Sequence, residues 1–313
     1  MARPIRFGIQ TPPQNTTWNE MRDTWKLIEE LGYDTAWTFD HFFPILTDPT
    51  GPCLEGWISL TALAAETSRI EAGVLVTGNT YRNPAVLAKM AATLDHTSNG
   101  RLIMGIGAGW FELEHTAYGI PFYTTAERIR RVDEAAEIIK RLWSERQVTF
   151  EGRYYRLKDA YCEPKPLRQP RPPIMIGGSG EKLMLRVIAK HADQWNTFGP
   201  PELFRHKINV LGEHCNAVGR DINEIEKSWA GMGVVTSSKA EREQMIGGMA
   251  QAFGRPAEEV EPGLLVGEAE LIRDRIHKFI EVGVTHFIMI ANPPYNHDSI
   301  RRFAEEVIPE FRS

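Results

Sequence analysis

The amino-acid sequence predicts a single (β/α)8 TIM barrel, an α/β fold in which eight parallel strands form a closed ring inside a layer of helices. Three observations lead to this prediction. Short apolar runs typical of buried strands alternate with amphipathic segments of helical period along the chain. Eight such units can be counted, which favours a closed barrel over an open doubly wound sheet. The length of 313 residues suits one barrel, so residues 1–313 are predicted to form a single domain.

The predicted strands are short runs of apolar and β-branched residues bounded by turn-forming residues. They cover residues 5–10, 35–40, 71–77, 101–106, 174–176, 193–197, 228–235 and 286–290. In a barrel of this kind the chemistry lies at the C-terminal ends of the strands. The residues that follow each strand are therefore the candidates for a functional site.

Capping signals mark where several of the predicted helices begin. Thr17 and Glu20 have the spacing of a capping box. Asn83 before Pro84 predicts another helix start, because proline is favoured at the first helical position and asparagine at the cap. The predicted helices that follow the eight strands cover residues 16–31, 57–68, 83–98, 124–143, 181–191, 201–218, 268–282 and 300–311.

Two of the predicted strand–helix units are longer than the others, and the extra residues in both are predicted to be insertions. The first follows strand 4 and includes an extended, proline-rich segment at residues 148–173. The second follows strand 7, with a helix over residues 238–253 and a loop rich in proline and glutamate. Neither interval has the composition of a flexible linker, which agrees with one domain.

Composition excludes several classes of protein. The formal net charge of −5 argues against a nucleic-acid-binding protein, which usually carries a basic surface. No apolar run approaches the length of about 18 residues that indicates a membrane span. The first residues lack the apolar stretch of a signal peptide, and the three cysteines are too scattered for a disulfide framework. We therefore expect a cytoplasmic protein with neither a membrane nor a nucleic-acid partner.

Asp40 and His41 follow the second predicted strand. A carboxylate beside an imidazole at a barrel mouth suits proton transfer near neutral pH. The alternative is a structural pair, in which a buried Asp40 accepts hydrogen bonds from loop amides and His41 caps a neighbouring element. The sequence leaves both open.

The loop after the fifth predicted strand reads Gly177-Gly178-Ser179-Gly180. Free amides, a hydroxyl and a helix start coincide here, which favours binding of an anion such as a phosphate. The net charge of the chain is negative, so Arg82 or Lys182 would have to add local attraction. The alternatives are a plain glycine-rich turn, or a serine hydrolase nucleophile, which the residue after Gly180 disfavours because it is not glycine.

The fourth predicted strand ends in a glycine-rich run, Gly105 to Trp110. This run is not a dinucleotide-binding fingerprint, since Trp110 stands where that pattern needs a glycine. The glycines either let a flat ring approach the backbone or make room for a neighbouring strand. For metal, the only grouping of ligand types is at residues 213–215, and adjacent residues rarely converge on one ion, so we expect no metal site.

These residues lie within stretches that resemble one protein family along nearly the whole chain. The matching stretches are residues 36–41, 76–89, 93–101, 105–110 and 177–180. They resemble the luciferase-like monooxygenase superfamily, in its branch of oxidoreductases that depend on the deazaflavin coenzyme F420. The fold of that family is the (β/α)8 barrel, in agreement with the strand count.

The resemblance implies a cofactor site and one catalytic residue. Asp40 and His41 would lie against the deazaflavin ring, with His41 transferring a proton, and Leu75 and Val76 would form a bulge behind it, often with a non-prolyl cis peptide. Ala108, Gly109 and Trp110 would lie beside the ring and ribityl chain, and Gly177, Gly178, Ser179 and Gly180 would hold the phosphate. Some sugar-phosphate dehydrogenases of the family carry a catalytic glutamate where this chain has Trp110, whereas Glu114 is expected only to hold its loop.

The implied function is hydride transfer between coenzyme F420 and a small organic substrate at the C-terminal mouth of the barrel. The alternative is a monooxygenase that uses flavin mononucleotide (FMN) and molecular oxygen, since enzymes with either cofactor share the fold. A hydrolase built on Ser179 and a non-catalytic cofactor-binding protein are the further alternatives. Family members are often dimers, so the resemblance also implies a homodimer.

Overall fold

The structure is a computed structural model that describes residues 3–312, and in it eight parallel strands close into a barrel. The strands are β1 (Arg6–Gln10), β2 (Thr35–Thr38), β3 (Glu71–Val74), β4 (Leu102–Gly107), β5 (Ile174–Gly177), β6 (Gln194–Thr197), β7 (Glu226–Gly231) and β8 (Val284–Ile290). Their order around the sheet is β3-β2-β1-β8-β7-β6-β5-β4, and pairing of β3 with β4 closes the ring. The predicted (β/α)8 barrel is therefore confirmed.

Eight helices follow the strands and surround the barrel. They are α1 (Trp18–Glu30), α2 (Gly56–Ala65), α3 (Pro84–Thr97), α4 (Thr125–Ser144), α5 (Met184–His191), α6 (Pro201–Ala217), α7 (Ala269–Glu281) and α8 (His297–Glu306). The capping box at the start of α1 is present: Thr17 accepts from the amide of Glu20, and the Glu20 carboxylate accepts from the amide of Thr17. Asn83 caps α3 by accepting from the amide of Ala85 at 2.9 Å. In the described part of the chain, every helix is too short or too polar to span a bilayer.

Several predicted element boundaries were wrong, among them those of strand 3, strand 7 and the fifth helix. Strand 3 does not continue to residue 77, because the backbone is interrupted after Val74 and only Thr77–Gly78 pairs again with β4. The predicted seventh strand divides after Gly231, and Gly233–Val235 instead pairs with Leu265–Gly267 outside the barrel. The fifth helix begins at Met184, three residues later than residue 181, because the intervening residues form a turn.

The two long intervals carry extra secondary structure. An antiparallel hairpin, Val148–Glu151 with Arg156–Ala160, lies between α4 and β5. Between β7 and α7 the chain forms the helix Lys239–Phe253, the short helix Ala257–Val260 and the strand pair described above. This second segment has its own small apolar core, which comprises Ile246, Val260, Leu264 and Val266.

The barrel interior is filled by side chains rather than open. Its apolar members are Trp37, Leu75, Ile103, Met175, Ala230 and Ile288, with Val76 packed against them from the mouth. Trp37 is the largest, and it fits because Gly73 opposite has no side chain. A Cβ at Gly73 would lie 2.4 Å from Cζ3 of Trp37 and 2.8 Å from the carbonyl oxygen of Ile103. Part of the obstruction is backbone, which cannot rotate away.

We therefore expect Gly73→Ala to lower the free energy of unfolding by about 1–3 kcal/mol, since overpacking a filled core forces neighbouring groups to move. Denaturant titration would measure it. Gly247→Ala is the matched control: nothing lies within 4 Å of a Cβ there, and Gly247 is in the interior of a helix. That variant should be as stable as the parent or slightly more so. Equal stability of the two variants would contradict the packing argument.

Candidate active site at the mouth of the barrel

The residues singled out from the sequence share one rim of the barrel. They belong to four strands that are neighbours around the sheet, β2, β3, β4 and β5, or to the segments that follow them. Because all strands are parallel, these segments leave the barrel at the same end. The residues are Asp40 and His41, Leu75 and Val76, Ala108, Gly109 and Trp110, and Gly177, Gly178, Ser179 and Gly180.

Leu75 and Val76 form the floor of the mouth. The peptide bond between them is cis, and the carbonyl oxygen of Leu75 accepts a hydrogen bond from Nε2 of Gln10 at 2.8 Å. The Val76 side chain is partly exposed and lies next to two glycines, Gly107 and Gly177. A Cβ at Gly107 would be 2.7 Å, and one at Gly177 3.1 Å, from the methyl groups of Val76. These glycines make room for Val76, which supports the packing alternative and leaves an apolar floor for a flat ring.

Asp40 is buried and held by an arginine. Its side chain accepts two hydrogen bonds from Arg82, at 2.6 and 3.0 Å, and Arg82 also contacts Glu55 at the start of α2. Burial opposes charge on the guanidinium, but the two carboxylates outweigh it and raise the pKa of Arg82. Arg82 is therefore committed to Asp40 and Glu55, and it does not serve as a free cation for an anionic ligand.

His41 is oriented by a second carboxylate. Its Nδ1 lies 2.8 Å from Oε2 of Glu114, and its Nε2 has no hydrogen-bond partner within residues 3–312. An ionised carboxylate only accepts, so Nδ1 carries the hydrogen and Nε2 of the neutral ring is left as an acceptor. The rings of Phe39, Trp110 and Phe111 surround the imidazole, with centroids at 4.8, 5.9 and 5.9 Å. The arrangement leaves one ring nitrogen available for proton transfer.

Glu114 is the residue of this candidate site whose contacts the sequence did not reveal. It has no exposed surface, and it accepts from His41, from the Tyr81 hydroxyl at 2.6 Å and from the amide of Phe42. Burial works against its charged form, but these three donors together lower the pKa of Glu114. Glu114 thus joins the segments after β2, β3 and β4, and its contact with His41 adds a positioning role to the expected loop-holding one.

Trp110 lies at the opening beside His41. Gly109 before it has a φ of +74°, which favours glycine, and its carbonyl oxygen accepts from Nε of Arg128 at 3.1 Å. This turn leaves the indole of Trp110 55% exposed. A large, exposed side chain beside the imidazole of His41 is positioned to contact a ligand.

The loop after β5 offers backbone donors. The amide of Gly178 donates a hydrogen bond to the carbonyl oxygen of Asn196 at 3.1 Å, whereas the amides of Ser179 and Gly180 donate to no acceptor in the described chain. Lys182 is exposed and makes no ion pair with any residue of 3–312. Two open amides near a lone cation suit a phosphate group. Among the described residues, the Ser179 hydroxyl forms no hydrogen bond with a histidine or a carboxylate, which argues against the hydrolase alternative.

Two of the three side chains at residues 213–215, where metal-ligand residue types are grouped, make contacts within the fold. Nε2 of His214 lies 2.8 Å from the carbonyl oxygen of Glu181, and Cys215 is buried in the core. Over residues 3–312, no three histidine, cysteine, aspartate or glutamate side chains form a group that could hold a metal ion.

Known proteins are similar to this chain over most of its length. Residues 4–256 match the luciferase-like monooxygenase family. An F420-dependent glucose-6-phosphate dehydrogenase from Microbacterium testaceum (strain StLB037) is 28% identical over 339 residues, covering 100% of this chain and 99% of that one. Another, from Kineococcus radiotolerans (strain ATCC BAA-149 / DSM 14245 / SRS30216), is 29% identical over 338 residues, covering 99% and 98%.

Solved structures show the same fold. An F420-dependent secondary alcohol dehydrogenase in complex with an F420–acetone adduct superposes with a TM-score of 0.86, covering 99% of this chain and 100% of that one. The two sequences are 21% identical, so this likeness speaks for the fold alone. With most of its length matched by the family and its barrel shared with solved structures, the chain belongs to the luciferase-like monooxygenase family.

Proposed function

We propose that this protein is a coenzyme F420-dependent oxidoreductase that transfers a hydride between the cofactor and a small organic substrate at the mouth of the barrel. The observation that carries the proposal is the position of His41, which is buried beside the ends of β2 to β4. One of its ring nitrogens is held by Glu114, and the other has no partner among residues 3–312. Relatives matched over nearly the whole chain bear the name of F420-dependent dehydrogenases, which supports the same reaction class.

The residues present fit such a cofactor. The apolar surface of Val76 would support the flat ring, with Asp40 and His41 beside it and residues 108–110 along its edge. The open amides of Ser179 and Gly180, together with Lys182, would hold the phosphate. When bound there, coenzyme F420 supplies a carrier that accepts or returns a hydride.

The chain itself supplies positioning and a proton site. Nε2 of His41 would accept the hydroxyl proton of an alcohol, or return it to a carbonyl oxygen. Glu114 holds the imidazole in the orientation and tautomer that leave Nε2 free. Phe39, Trp110 and Phe111 enclose the imidazole on several sides and limit the access of water to it.

Titration of the purified protein with each cofactor, followed by fluorescence quenching, tests the choice between F420 and FMN. We expect micromolar binding of coenzyme F420 and none of FMN. Binding of FMN alone would instead assign the chain to the flavin-dependent, oxygen-using members of the family.

The same titration measures the contribution of Lys182. We expect Lys182→Ala to weaken F420 binding about tenfold, because a charge-assisted contact to the phosphate is lost. The loss should shrink as salt is added, since the remaining attraction is screened. Lys158→Ala, on the exposed face of the hairpin, is the matched control and should bind as the parent does. Equal affinity of both variants would remove Lys182 from the site.

We further propose that the protein works in the cytoplasm as a homodimer with a small molecule as its partner. Its three cysteines, Cys53, Cys162 and Cys215, are free thiols, which is compatible with a reducing compartment. Analytical ultracentrifugation would test the assembly: a single species of monomer mass at micromolar concentration would contradict the dimer.

A further inference from the structure

The mouth of the barrel carries a strong excess of acidic residues. The segments that connect each strand to its following helix hold twelve aspartate and glutamate residues, against five lysine and arginine residues. The five cations are Arg82, Lys182, Lys239, Arg242 and Arg255. These segments leave the barrel at one end, so their charges add to a negative potential that disfavours an anionic substrate.

Four of these five cations are already paired. Arg82 is bound by Asp40 and Glu55, as described above. In the segment between β7 and α7, Lys239 pairs with Glu243 at 3.6 Å, Arg242 with Glu268 at 3.3 Å and Arg255 with Glu259 at 3.1 Å. Lys182 is the one member without an ion pair among the described residues, and it lies beside the loop assigned to the cofactor phosphate. Among the described residues, these strand–helix segments therefore hold no further unpaired cation for a charged group on the substrate.

Two large aromatic side chains are exposed in the segments that form the mouth of the barrel. Trp110 is 55% exposed, and its ring approaches His41 at 73°. Phe198, which directly follows β6, is 58% exposed. Binding of an apolar ligand against exposed aromatic rings is favourable because it removes apolar surface from water. The same rings cannot supply the several hydrogen bonds that a ligand with many hydroxyl groups would need.

We propose that the substrate is an uncharged, predominantly apolar alcohol or carbonyl compound, which lies against Trp110 with its oxygen at Nε2 of His41. This inference rests on the proposed function for its chemistry. In the oxidation direction the carbinol C–H bond breaks and its electron pair leaves with the hydrogen as hydride to the cofactor. The O–H proton passes to Nε2 of His41, and the C=O bond forms. A phosphorylated sugar would bring a dianion into strand–helix segments whose one cation without an ion pair among the described residues, Lys182, is assigned to the cofactor phosphate.

Ligand binding can be measured apart from turnover. Cyclohexanol, glucose and glucose 6-phosphate serve as probes, and saturation-transfer NMR is recorded on the protein with and without coenzyme F420. We expect saturation transfer to cyclohexanol and to neither sugar. Trp110→Ala should weaken cyclohexanol binding about tenfold, as loss of an aromatic contact would. Tyr161→Ala removes an equally exposed ring from the segment leading to β5, and it should leave binding unchanged.

Turnover of the F420-loaded enzyme with the same probes separates this inference from the proposed function. Reduction of F420 by cyclohexanol and not by glucose 6-phosphate supports both. Reduction by glucose 6-phosphate alone, or cyclohexanol binding that Trp110→Ala leaves unchanged, overturns the substrate inference while hydride transfer stands. Failure of F420 to bind overturns the proposed function, and the NMR comparison on the cofactor-free protein still decides whether the mouth selects apolar ligands.

Discussion

His41→Ala is expected to lower kcat about 100-fold or more, because a positioned acid–base group contributes roughly that factor to a proton-transfer step. Affinity for coenzyme F420 should change little, since the expected anchors of its phosphate lie on the loop after β5. Stopped-flow measurement of F420 reduction, with fluorescence titration of cofactor binding on the same sample, provides both numbers. Turnover at the level of the parent, with cofactor bound, would exclude His41 as the proton site.

Two further variants refine this experiment. His41→Asn keeps an N–H that can donate to Glu114 but carries no transferable proton, so its rate should fall as that of His41→Ala does. His277→Ala is the matched control, since His277 is about half exposed on α7, outside the segments that form the mouth. A rate in His41→Asn close to that of the parent would show that His41 is needed only to hold the loop.

Glu114→Gln is expected to cost about 3 kcal/mol of stability at pH 7, since it removes a buried charge that three donors are arranged to meet. The NH2 group of the introduced glutamine amide also places a hydrogen-bond donor where the site needs an acceptor. The folded-state pKa of Glu114 is lowered, so its ionised form contributes stability that is fully present above the unfolded pKa of about 4.5. That contribution is lost as pH falls through the folded value. The difference between parent and variant should therefore be large at pH 7 and smaller at pH 4.

Urea denaturation at the two pH values measures this effect. Glu112→Gln is the matched control, because Glu112 is exposed on the short helix Glu112–Ala117 that also carries Glu114. This variant should be close to the parent at both pH values. The positioning role has its own readout: kcat of Glu114→Gln should fall while the affinity for F420 stays near that of the parent. A stability difference that does not shrink at low pH would contradict the assignment of an ionised Glu114.

The order of strands and helices was predictable because its signals are local. The apolar period, the capping box at Thr17 and the Asn83–Pro84 helix start each depend on residues a few positions apart. At the end of strand 3, where the predicted boundary was wrong, a distant contact overrode the local pattern. The apolar run of strand 3 continues past Val74, but the carbonyl oxygen of Leu75 is taken by the side chain of Gln10 on β1 instead of a neighbouring strand.

The candidate site was predictable in part for the same reason. The loop at residues 177–180 presents amide donors by virtue of its own glycines, and Asp40 and His41 are adjacent in the chain. The partners of the charged groups were not predictable. Arg82 was a candidate for attracting an anion, yet it is paired with Asp40 and Glu55, which lie 42 and 27 residues away in sequence.

By itself, the sequence determined that this protein is a barrel of eight strand–helix units, with the adjacent residues Asp40 and His41 and a glycine-rich loop at strand ends, because periodicity, capping and glycine placement are properties of short segments. Only the tertiary structure decided how those groups are used. It brought Glu114 to His41 across 73 residues, and it left Lys182 without an ion pair among residues 3–312. The energy of a charge depends on its burial and on which side chains come within hydrogen-bond distance, and folding alone sets both.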